Sequence, residues 1–367
     1  MGCSSATPGS LSLILLIAVI LCFCTQPTTA LERSHRQFQE FFPAWDALLK
    51  EQLRNDCSDE MKAYLNVSDP VGRPGYRVID CILNTMPEFR KAEVASAAVV
   101  LGLAPSVLQL LSASYLDTAI LAYRRPVLAL LLSMCSSGVR PLTATDYDDF
   151  ITKMRTDSSN YFRQPKFSGA SAFVSFWEYF IAAASVANNA YLTYQLCIQA
   201  VCTFAPADDF LPAIWTAAAL AIHLVGYAAA RLRITVEDKK AWEEAEHRGR
   251  LWSELTPTPW QSKLQVRANV NHMGWFLTLA SALYVGDVLQ ALFGTLILSS
   301  LVFISVRDSA IIVIRLMGSA LFARLILIYE LAGLRTDTRE CSPSDNTIYL
   351  RSLEPSERNL RGSRVFS

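Results

Sequence analysis

Uncharged runs long enough to cross a bilayer recur along the chain, separated by polar and charged segments. A helix rises about 1.5 Å per residue and the hydrocarbon core is about 30 Å thick, so roughly twenty apolar residues make one span. Val94 to Leu116 meets that length without a charge, with Pro105 inside it. Gly169 to Phe204 predicts a very long helix carrying Glu178 near its start and Asn188-Asn189 in its middle. Phe210 to Ala230 predicts a further span whose polar group is His223. The last unit predicts a hairpin: Val288 to Val306, extended backwards to Met273, then Arg307-Asp308, then Ser309 to Gly333.

One run is too short. Arg124-Arg125-Pro126 is followed by uncharged sequence only as far as Val139, so residues 118–139 predict either a re-entrant or interfacial helix, or a crossing whose arginines snorkel. Before the first span, "RQFQEFFPAWDALLKEQL" puts Phe38, Phe41, Phe42, Trp45, Leu48, Leu49 and Leu53 on one side of an amphipathic helix. The fold class is therefore all-α: a polytopic helical membrane protein with a small N-terminal ectodomain and a disordered C-terminal tail.

Composition agrees, because 52% of the 367 residues are apolar and mean hydropathy is +0.26. Lys and Arg number 33, as do Asp and Glu, so no basic excess argues for nucleic acid. The order of segments is a signal peptide over 1–30, a luminal or extracellular segment over 31–93, the membrane domain over 94–333 and a cytoplasmic tail over 334–367. Leu11 to Cys24 forms the apolar core of the signal and Thr28-Thr29-Ala30 its cleavage site. Gly2 and Cys3 suggest acylation, but Ala6 stands where myristoylation needs Ser or Thr.

In an oxidising compartment Cys57 and Cys81 predict a disulfide, and Asn66-Val67-Ser68 is an N-glycosylation acceptor. Lys and Arg concentrate in the segment between the first two clear spans, in the loop 231–271 and at the start of the tail, whereas "APADD" has none. The positive-inside rule then gives five crossings with the N-terminus outside and the C-terminus cytoplasmic, or six if 118–139 crosses. The setting is the secretory pathway or the plasma membrane. Partners are the lipid bilayer and membrane or cytosolic proteins meeting 231–271 and the tail.

The stretches "PEFRKAEVASAAVVLGLAPSVLQLL", "RRPVLALLL" and "FGTLILSSLVFISVRDSAIIVIRLMGSALFARLILIYELAGLR" resemble a group of fungal multi-pass membrane proteins whose biochemical role is uncharacterised. The resemblance implies the multi-pass architecture and an endomembrane or plasma-membrane setting. It carries over no functional residue.

Catalytic signatures are sparse. "NDCSDE" at Asn55 mimics an acidic prenyltransferase motif but precedes every span, and the paired carboxylates of "DYDDF" at Asp146 read as a solvated loop before a Mg²⁺ site. No catalytic, metal or cofactor residue is assigned. More informative are intramembrane polar residues: counted from helix ends, Glu178, His223 and Arg324 fall at one level about 11 to 14 Å inside. With Asp287 they form a candidate polar layer in which Arg324 pairs with Glu178 or Asp287. A proton or anion site is the sharp reading of that layer and a structural ion pair the plain one. Arg315 and Glu330 lie nearer a membrane face and need less explanation, and Asn188-Asn189 among small residues predicts interhelical hydrogen bonds. A scaffold or accessory membrane role is the first expectation. The alternatives are a small-molecule carrier, which should show repeats or paired broken helices, and a membrane enzyme acting on a lipid or metabolite.

Overall fold

The computed structural model describes residues 37–66, 74–143, 146–147, 170–206, 208–237, 254–260, 265–268 and 273–338. The signal segment, most of the polar stretch before Gly169, the core of the charged loop and the tail beyond Thr338 lie outside the described residues.

The fold is helical, and five helices are long and apolar enough to cross a membrane. Three short helices come first: α1 (Asp46–Asn55), α2 (Ser58–Leu65) and α3 (Pro74–Thr85). The first long helix, α4 (Glu88–Leu111), starts directly behind them, and two short helices follow, α5 (Tyr115–Leu121) and α6 (Pro126–Met134). The other long helices are α7 (Ala170–Gln199), α8 (Leu211–Arg233), α9 (Met273–Ser299) and α10 (Val306–Thr338). Their outer surfaces leave Val99, Leu103, Phe176, Leu289, Leu292, Ile314 and Leu325 exposed. Contiguous apolar surface of that extent is unstable in water and suits lipid contact. The chain is thus an integral membrane protein.

α1 to α3 form a cap on one end of the bundle. The predicted amphipathic helix begins only at Asp46, since the Asp46 carboxylate accepts the Phe41 N–H at 3.0 Å and holds residues 37–45 in turns. Phe38, Phe41, Trp45, Leu49 and Leu53 are nevertheless buried together, with Val201, Val302 and Phe303 beneath them. Those last residues sit on two inter-helix turns joined by a short antiparallel ladder, β1 (Val201–Cys202) with β4 (Leu301–Val302). The start of α4, the α7–α8 turn and the α9–α10 turn therefore share the cap end. A second hairpin ladder, β2 (Ile234–Glu237) with β3 (Gln265–Ala268), continues from α8 at the far end.

α4 does not traverse the whole bundle. Gly102 abuts Ser299 at the cap end of α9, so Leu111 lies only about 14 Å further in. Gln109 there donates to the Asp287 carbonyl at 3.0 Å, and Asp287 is itself about 18 Å from the Ser299 end of α9. The helix stops because Ser112 is extended and Ser114 caps the next helix, its hydroxyl accepting the Asp117 N–H at 3.1 Å. α5 carries the chain on towards the far end. Pro126 then stops it, as proline cannot continue a helix but readily begins one, and α6 turns back. Met134 and Ser137 end beside Asn189, Thr216 and Gln290 in the middle of the bundle. Residues 112–139 thus form a broken, re-entrant hairpin rather than a full span.

Candidate functional site

Two polar regions occupy the bundle, one at the hairpin's tip and one at the level of the helix break. At the tip, Arg125 is the residue preceding α6 and its side chain is completely buried. Its Nη1 donates to Glu178 of α7 and, at 2.9 Å, to Glu330 Oε1 of α10. Nη2 reaches Ser175 Oγ at 2.9 Å and Nε reaches the Glu254 carbonyl at 2.9 Å. The planar guanidinium fork is what lets one side chain address so many directions at once. Tyr179 covers it, with the guanidinium carbon 5.2 Å from the ring centre.

The segment after the charged loop closes this cluster. Thr258 donates both its hydroxyl and its backbone N–H to Glu330 Oε2, the latter at 3.1 Å. Glu254 Oε1 accepts the N–H groups of Val127 and Leu128 at 3.0 and 3.2 Å and the Tyr179 hydroxyl at 2.7 Å. A carboxylate is favoured at the start of α6, where free N–H groups carry partial positive charge. Burial opposes the Arg125 charge, but Glu330 and Glu178 more than offset it, so the guanidinium holds its proton more firmly than a free arginine.

The second region lies where α4 breaks. Asn189 donates to the Met134 carbonyl at 3.1 Å and accepts from Ser137, while Gln290 donates to the Ser137 carbonyl at 2.7 Å. These amides satisfy backbone groups that the irregular hairpin leaves free, as non-helical backbone at membrane depth requires. His223 Nδ1 and the Thr118 hydroxyl lie 3.0 Å apart, joining α8 to α5. Asp287 is different. It is fully buried on α9, yet neither carboxylate oxygen has a hydrogen-bond partner. Tyr115 and Tyr147 lie within its electrostatic reach, and their rings are 6.4 Å apart.

The four residues of the expected polar layer are therefore not brought together. Glu178 pairs with Arg125, His223 with Thr118, and Asp287 with no hydrogen-bond partner among the described residues. Arg324 corrects the expected pairing: its Nη1 donates to the Leu110 carbonyl at 2.8 Å and more weakly to that of Leu111, and it meets no carboxylate. The reason is the early end of α4, which leaves C-terminal carbonyls free on the outer side of the bundle for a cation to cap. Glu330, expected near a face, lies towards the far end of α10 but is 0% exposed, covered by Thr258. Arg315 bonds Asn188 Oδ1 at 2.9 Å and Gln195 Oε1 at 2.8 Å, and Asn188 reaches Ser319 Oγ at 2.8 Å. In the cap, Cys57 and Cys81 form a disulfide with Cα atoms 5.9 Å apart, and Asn66 is exposed at the end of α2.

Sequence reasoning missed Arg125 and Glu330 as partners. The signal present was Pro126, which fixes where the chain turns and so which arginine the turn buries. No family model, curated protein or solved structure matches the chain significantly.

Proposed function

We propose that the protein is a proton-coupled carrier of a small solute, with Asp287 as the ionisable group of its transit site. The observation that carries this reading is the pairing of that donorless, fully buried carboxylate with the mid-bundle break of α4 and the re-entrant α5–α6 hairpin. Discontinuous helices meeting near the bilayer midplane, beside an ionisable side chain, are how carriers expose backbone and charge to a solute without exposing them to lipid. The test is reconstitution into liposomes containing a pH-sensitive dye, with a clamped potential driving protons inward. The parent should acidify the lumen faster than protein-free liposomes, and Asp287→Asn should abolish the difference. Equal flux through parent and Asp287→Asn would overturn it.

An accessory or scaffold role is the second reading, favoured by the exposed aromatic ridge of α7. Phe173, Phe176, Trp177 and Phe180 are all exposed there, with Phe176 and Phe180 stacked 6.2 Å apart. Such a ridge suits a partner helix as well as lipid. Loss of a crosslinked partner on Phe176→Ser, with unchanged folding, would favour it over the carrier.

The threading belongs to the same proposal: a cleaved signal over 1–30, the cap outside, Asn66 glycosylated, 231–271 and the tail facing cytosolic proteins, in the secretory pathway or plasma membrane. The suspected kinship with uncharacterised fungal multi-pass proteins supports that setting. A glycosidase-sensitive mobility shift lost in Asn66→Gln, with a C-terminal tag protected in intact cells, is expected; a tag cleaved from outside would overturn the five-crossing threading.

A further inference from the structure

We propose that Glu178 and Glu330 bind one proton between them, making the Arg125 cluster a proton site separate from Asp287. The argument is one of charge and donors. Two carboxyl groups lie on a single guanidinium nitrogen, Arg125 Nη1, with side-chain exposures of 6% and 0%, and they are close enough to act on each other directly. Fully ionised, the set carries one positive and two negative charges where little water can screen them. Two carboxylates sharing one site rarely both ionise.

Hydrogen bonding leads to the same place. Glu330 Oε2 already takes both donors of Thr258, and its Oε1 takes Arg125. Glu178 Oε2 takes Arg125, which leaves Glu178 Oε1 buried without a donor. A single proton on the pair supplies the missing donor and brings the set of three to zero net charge. Other groups facing it do not substitute: Tyr179 spends its hydroxyl on Glu254, Ser175 accepts from Arg125 and makes no hydrogen bond to Glu178 Oε1, and Tyr329 of α10 adds no charge. Glu254 is engaged elsewhere, accepting from Val127, Leu128 and Tyr179 at the start of α6.

Position gives the site a direction of access. Glu330 is about 36 Å along α10 from Val306, beyond the roughly 30 Å of hydrocarbon, so the pair lies at the far interface under the Glu254 to Trp260 segment. Lifting that segment removes Thr258 from Glu330 and opens the pair to water. The proton would then leave to the aqueous phase on that side, and rebinding would favour the closed segment.

The experiment uses the Asp287→Asn protein in lipid, so that the donorless buried acid contributes nothing and failure of the carrier reading does not bear on the result; Asp308, also buried, remains in every variant compared. Difference infrared spectra between pH 5 and higher pH should show a protonated carboxyl C=O band that shifts in D2O and is lost on alkalinisation. Glu178→Gln or Glu330→Gln in the same background should remove it. Because the folded state then holds one proton more than the unfolded chain above about pH 4.3, the folded-to-unfolded ratio should fall about tenfold per pH unit until the site ionises. With either Gln that slope should flatten, since glutamine mimics the protonated acid permanently. Absence of a titrating carboxyl band in the Asp287→Asn protein would overturn the proposal even if the Gln variants fail to fold. A band that persists in both Gln variants would overturn it as well.

Discussion

Replacing Arg125 by Met removes the cation on which three structural segments converge. What remains is Glu178 and Glu330 in contact, Ser175 without its donor and the Glu254 carbonyl without Nε. Truncating one side of a buried charged set typically costs about 3 to 5 kcal/mol, most of it from the charge left behind. At about 1.4 kcal/mol per decade, that is a loss of roughly two to three and a half orders of magnitude in the folded ratio. Arg125→Lys should recover little of it, because an ammonium can serve the carboxyl pair but not Ser175 and Glu254 at the same time. The triple variant Arg125→Met, Glu178→Gln, Glu330→Gln should recover more, since it removes the charges together. Thermal unfolding of detergent-purified protein, followed by intrinsic fluorescence, reads all three. If Arg125→Met melts within a degree of the parent, the cluster is solvated in the real bilayer and the whole ion-set argument fails.

Arg324→Met should be far milder than Arg125→Met, costing about 1 kcal/mol for capping bonds to backbone carbonyls, and a cost equal to that of Arg125→Met in the same melting assay would show that it meets an acid after all. Gly294→Ala should destabilise the α8–α9 contact, because a Cβ there would overlap the Trp215 indole; an unchanged melting temperature would refute that close approach. Cys57→Ser with Cys81→Ser should lower cap stability by about 3 kcal/mol, read as faster proteolysis of residues 37–85 in non-reducing conditions, and labelling of both parental thiols without reduction would count against the bond. Asn188→Leu should strip Arg315 of one acceptor and Ser319 of its donor at about 0.6 kcal/mol, a small loss that a melting curve can bound from above.

The sequence disclosed most where the physics is local. Length and apolarity alone marked the five long helices, though the ends of α4 and the C-terminal ends of α7, α9 and α10 fall five to seven residues from those expected, and Asn188-Asn189 bonded across helices because amides in apolar surroundings have few other choices. The break of α4 was invisible because Ser112-Ala113-Ser114 is uncharged and passes unnoticed within an apolar run, although two serines in succession offer the backbone both a stop and a new cap. Depth counting then misled: it ranked charges by distance from a helix end, and so placed Arg324 in an ion pair and left Glu330 without a partner. Pairing depends on which helices adjoin, and a helix that ends halfway changes the neighbours. Glu330 is buried near the far interface because a loop far away in sequence brings Thr258 over it.

The Arg125 cluster also sets an order of events during synthesis. Its members come from positions 125, 175, 178, 254, 258 and 330, so the ribosome delivers the second acid only when the last helix is nearly complete. Until then the hairpin that carries Arg125 has an unfinished socket, and its backbone at the α4 break lacks the Arg324 cap as well. The hairpin's polar contacts are therefore complete only once α10 supplies both Glu330 and Arg324. A chain cut short before α10 would keep its apolar spans and its cap yet display a loose, charged hairpin, a form that quality-control machinery could tell from the finished protein by that one segment.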